Sequence, residues 1–104
     1  MEPESLLDLA ETAAMEGEYE AAYHLLMATL HVVEHRRDTA AIRRVVEAGR
    51  RIGAAVEAVT PPHRLARQHA QTRGQQSIFE QLEVHAEAVR LRLESDRLRA
   101  RAAA

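Results

Sequence analysis

The chain contains no cysteine. A disulfide scaffold, a thiolate zinc site, an iron–sulfur cluster and a cysteine nucleophile are therefore excluded. Lysine is also absent, so all 14 basic residues are arginine. A GC-rich coding bias is the plainer explanation, beside arginine's capacity to grip carboxylates and phosphates with two bonds at once. Aromatic residues are limited to Tyr19, Tyr23 and Phe79. No stretch alternates apolar and polar residues in the manner of a half-buried strand. No apolar run approaches the roughly 20 residues needed to cross a bilayer, so no membrane association is expected. Met1 to Ser5 is acidic and lacks the basic-then-apolar order of a secretory signal. A cytoplasmic location is the expectation, and the missing cysteines fit a reducing compartment.

What remains is rich in helix formers, with alanine, leucine, glutamate and arginine dominating. At 104 residues the chain is long enough for one domain with one core, and residues 1–104 are read as that single domain. The expected fold class is all-α, a small up-and-down bundle of three long helices plus one short helix.

The apolar spacing predicts helices over about 3–16, 18–37, 39–59, 62–73 and 75–99, with 100–104 as a frayed tail. Pro3 suits a first helical turn, and Leu6, Leu7, Leu9, Ala10, Ala13 and Ala14 form the first apolar stripe. Gly17 is the natural stop. In the second helix Tyr19, Ala22, Tyr23, Leu26, Leu30 and Val33 share one face. Leu25, Val32 and Met27 broaden it enough to meet two neighbours, which makes this helix the expected centre. Asp38 is a good N-cap for the third helix, whose inner face reads Ile42, Val45, Val46, Gly49, Ile52, Gly53 and Val56. Gly49 and Gly53, four apart on that face, are expected where another helix approaches closely, with a kink as the competing reading. Thr60-Pro61-Pro62 is a break and restart.

The last helix carries two stripes. Phe79, Leu82, Ala86, Val89 and Leu93 form the inner seam at 3,4 spacing. Val84, Leu91 and Leu98 fall on roughly the opposite side at 3.6 residues per turn. A helix apolar on two sides has two partners, so the outer line is read as a docking seam and the protein as a homodimer or a binder of another protein.

Gly17-Glu-Tyr-Glu-Ala-Ala22, with Leu30 further on, resembles the turn and second helix of a tetratricopeptide repeat. That family's period of about 34 residues leads to Arg51-Ile52-Gly53, where the pattern does not recur. The resemblance implies one helical hairpin and no repeat array.

Charge is distributed unevenly. The net charge is −2, yet residues 1–35 hold eight acids and no arginine, while residues 36–104 hold eight acids and every arginine. Such a chain can neutralise itself internally or pair head to tail with a copy. Arg43, Arg44, Arg50 and Arg51 form a ladder on the third helix that can follow a phosphate backbone. Glu47 and Glu57 interrupt it, Glu34 of the second helix is placed to pair across, and no aromatic residue is available there for base stacking, so nucleic acid is disfavoured as a partner. Arg64, Arg67 and Arg73 extend the same reading.

Six histidines are present. His24, His31 and His35 share one helical stripe, with Glu20 near it, and can bind a divalent transition metal such as zinc. A solvated polar face is the plainer reading, with no cofactor. His31-Val-Val-Glu34-His35 resembles the signature of inverted zinc proteases, but a small bundle offers no cleft and no distant third ligand. His63, His69 and His85 are scattered. Ser5, Ser77 and Ser95 lie in no nucleophile elbow, and no phosphate-cradling glycine loop occurs. The sequence therefore reads as non-catalytic: a helical interaction or regulatory module, with metal binding and nucleic-acid association as the alternatives.

Overall fold

The computed structural model describes residues 2–59 and 78–103. The expected short helix over 62–73, the start of the last helix at 75, and His63, His69, Arg64, Arg67, Arg73 and Ser77 lie outside them. Among the described residues all regular structure is helical: α1 (Pro3–Met15), α2 (Tyr19–Arg36), α3 (Thr39–Val59) and α4 (Ile78–Ala103). No helix among them is long and apolar enough to cross a membrane.

Local chemistry explains the breaks. Pro3 opens α1, where its missing N–H breaks no bond. Gly17, at φ +79°, ends the first hairpin arm. Its N–H donates to the Ala14 carbonyl at 3.0 Å and that of Glu18 to Ala13 at 2.9 Å, which is the paired closure of a Schellman turn. Arg37 repeats this closure at the end of α2. Its φ is 57°, and the N–H groups of Arg37 and Asp38 donate to Glu34 and Val33. An arginine thus occupies a left-handed position that glycine normally holds. Asp38 then caps α3, its Oδ1 accepting from the Ala41 N–H at 3.2 Å.

Arg37→Gly is expected to raise stability by about 0.5 kcal/mol. Relief of roughly 1 kcal/mol of left-handed strain outweighs a solvent-exposed ion pair to Asp96. A urea titration checks the sign. A lower midpoint would mean that the ion pair outweighs the strain.

One core joins all four helices. α2 and α3 touch each other and both remaining helices, so the central position expected for α2 is shared with α3. α1 lies mainly on α2, and α4 mainly on α3. Leu26 of α2, Val45 of α3 and Leu82 of α4 are wholly buried. Tyr23 meets Phe79 edge-on across α2 and α4, ring centres 6.2 Å apart. Thr29 is wholly buried, and its hydroxyl donates to the Leu25 carbonyl one turn back at 2.7 Å. That bond removes the cost of burying it.

Two details differ from the sequence reading. Leu9, placed on the inner stripe of α1, is exposed. It sits about 65° from the Leu6–Ala10–Ala13 line at ~100° per residue, off the side that α2 and α3 cover. α4 also continues past Arg99 to Ala103, because alanine and arginine favour helix and no glycine or proline stops it.

Candidate functional site

The outer face of α4 is the most distinctive surface. Val84, Leu91 and Leu98 are 59%, 53% and 55% exposed, in line at seven-residue intervals along one helix. The inner stripe, Phe79, Leu82, Ala86, Val89 and Leu93, is buried against the core. Both faces are apolar, and among the described residues only the inner one is covered. Between the outer line and α3 runs an open groove of about 930 Å³, with Ile42, Val46 and Arg50 on one wall and Glu83, Val84 and Leu91 on the other.

Sequence spacing missed part of this face. Ala88, Ser95 and Ala102 alternate with the three large residues at intervals of four and three. Ser95 and Ala102 are exposed and Ala88 half-buried. The line is thus Val84, Ala88, Leu91, Ser95, Leu98, Ala102, the alternation of a coiled-coil seam with small side chains at every second position. Small residues carry little weight in a search for apolar stripes, but the 4,3 rhythm was there to read.

Gly49 and Gly53 face α4. A Cβ placed on Gly49 would lie 2.7 Å from Leu82 Cδ2, and one on Gly53 would lie 3.2 Å from Phe79 Cβ. The two glycines let α4 approach α3 closely and so set where the outer seam stands.

The arginine ladder is matched by carboxylates. Arg44 pairs with Glu4 at 2.7 Å, Arg51 with Glu11, Arg50 with Glu83 at 2.6 Å and Arg43 with Glu47 at 3.7 Å. Arg36 reaches Glu2 at 2.9 Å, and Arg92 reaches Glu34 at 2.8 Å. Glu34 therefore pairs with α4, and not across to α3. Four of the eight acids in the arginine-free first third thus meet arginines from later in the chain, so part of the uneven charge is matched within one molecule.

Hydrogen bonds in these surface pairs displace proton affinities. Asp96 is held below the ordinary carboxylate value by Arg99 first and Arg37 second, and Glu87 is held below it by Arg90. Arg50 and Arg90 are raised by their carboxylate partners. Displacement by a solvated ion pair differs from the burial-driven kind that arms a catalytic carboxylate.

His24, His31 and His35 are exposed on the outer side of α2. Among the described residues, no group of three or more histidine or acidic side chains is arranged to hold a metal ion. His85 is exposed on α4, beside the outer seam.

No known protein family matches this chain, nor does any curated protein or solved structure. The functional reading therefore rests on the α4 face, the matched arginines and the placement of the histidines.

Proposed function

We propose that this protein is a non-catalytic helical interaction module, a small up-and-down bundle that works as a homodimer through the outer face of α4. The observation that carries this reading is the seam itself: three large apolar side chains, each more than half exposed, aligned on a helix whose opposite face already fills the core. Leaving such a strip in water is unfavourable, at about 25 cal/mol per Å² of apolar surface. An identical strip is its natural complement, because a two-fold interface presents the same patch from both sides. A regulatory role suits a module of this kind, and the cytoplasm is where we place it. The arginines of the ladder pair with carboxylates of their own chain, and among the described residues no ligand set gathers at the histidine stripe; the aligned apolar seam is the more specific feature.

Solution mass tests the proposal. Light scattering or sedimentation is expected to give twice the 11.6 kDa chain mass. Leu91→Glu is expected to weaken self-association at least about 100-fold, a loss of roughly 2.7 kcal/mol for a charge set into the centre of the seam. Its melting temperature at low concentration stays within a few degrees of the parent monomer's, because Leu91 is more than half exposed and lies outside the core cluster. A mass of 11.6 kDa at every concentration overturns the dimer.

A further inference from the structure

The charges flanking the α4 seam are sorted by sign, and the sorting gives the seam a direction. With Val84, Leu91 and Leu98 at one heptad core position and Ala88, Ser95 and Ala102 at the other, Glu80, Glu87 and Glu94 fall along one edge. His85, Arg92 and Arg99 fall along the other. The two edges face different neighbours. Glu80 and Glu87 border the groove shared with α3, whereas Arg92 leans toward α2 through Glu34. Glu87, Glu94, Arg92 and Arg99 keep 57%, 46%, 58% and 75% of their side chains exposed despite their pairs within the chain. Pairs that exposed are weak, and a guanidinium with five donors can serve two carboxylates.

Flanking charges set the orientation of a two-stranded coil. In a parallel pair, each residue of the acidic edge meets the residue five positions later on the partner's opposite edge. Glu80 then meets His85, Glu87 meets Arg92 and Glu94 meets Arg99, and the two-fold axis repeats every contact. In an antiparallel pair each edge meets its own kind, arginine against arginine or histidine and glutamate against glutamate, with Arg101 the lone basic residue on the acidic edge. A parallel pair stacks large on large and small on small, an antiparallel pair sets large against small, and the flanking charges favour the parallel arrangement.

We propose that α4 pairs with α4 of a second copy in parallel and in register, with Glu80, Glu87 and Glu94 of each copy facing His85, Arg92 and Arg99 of the other. This rests on the dimer reading above and adds its direction and register.

Single-cysteine variants test it cleanly, because the chain has no thiol of its own. A88C and A102C lie at seam positions that a parallel in-register pair brings face to face with their own copies, close enough for a disulfide. The two positions are separated along α4 by about 21 Å at 1.5 Å per residue. Under mild oxidation each variant alone is expected to form self-linked dimer roughly tenfold more than H31C, whose site lies on the outer side of α2. An antiparallel pair sets each small core position against a large one, so a link that forms only when A88C and L98C are mixed shows that arrangement, and overturns this proposal while the dimer stands. A dimeric mass with no link in any combination places the interface elsewhere and overturns it as well. A monomeric mass removes the dimer reading itself.

Discussion

Replacing Leu82 with alanine is expected to lower the unfolding free energy by about 3–4 kcal/mol. Leu82 is fully buried, and its Cδ2 reaches toward Gly49 on α3 beside Leu26 of α2. Three helices meet at that point, so little can move inward to fill the space left behind. A domain of this size has about 5–15 kcal/mol in total, and the loss takes a large share of it. A urea titration should show a lower midpoint with an unchanged slope. A loss under about 1 kcal/mol would mean that α4 does not seal the core here.

A second substitution shows why the cost is specific. Gly49→Ala alone sets a Cβ against an enclosed Leu82 methyl, so the clash outweighs the roughly 1 kcal/mol that alanine gains inside a helix. In the Leu82→Ala background that methyl is gone. The same Gly49→Ala change then becomes neutral or favourable, and the two substitutions couple by about 1 kcal/mol or more. Simple additivity would contradict the close approach of the two helices.

Gly53→Leu is expected to cost about 2–3 kcal/mol by overpacking. Its new Cβ would stand 3.2 Å from Phe79 Cβ, an atom tied directly to the α4 backbone. A rotamer change cannot clear that atom, so α4 itself must move away from α3. In a domain of about 100 residues each kcal/mol shifts the melting temperature by roughly 4–8 °C, and a fall of about 10 °C or more is expected by calorimetry. Gly53→Ala needs a shift of only a few tenths of an ångström, and its helix-propensity gain opposes the strain. A leucine variant as stable as the parent would show that α4 is free to stand off from α3.

Much of this architecture is written locally. Pro3, Gly17 and Asp38 mark element ends through backbone geometry that depends only on near neighbours. Arg37 shows where that logic stops. It takes the left-handed turn position that glycine usually signals, because the next helix must begin there and its cap, Asp38, follows at once. The candidate seam was half legible: Val84, Leu91 and Leu98 repeat every seven residues, while Ala88, Ser95 and Ala102 pass unnoticed beside them. Thr29 was not legible as core, since its burial depends on a hydroxyl turned back to Leu25. Leu9 was misplaced because a stripe on an isolated helix does not say how wide its neighbour is.

By itself the sequence determined that the described chain is helical, where α1, α2 and α3 begin, and which side of α2, α3 and α4 turns inward. Helix periodicity and capping act over a few residues, so one dimension suffices to express them. Only the tertiary structure decided which carboxylate each arginine meets, that Gly49 and Gly53 lie under α4, and that Leu9 is left in water. Those outcomes depend on which surfaces helices distant in sequence bring together, and a charge or a missing side chain carries no mark of the partner it will face.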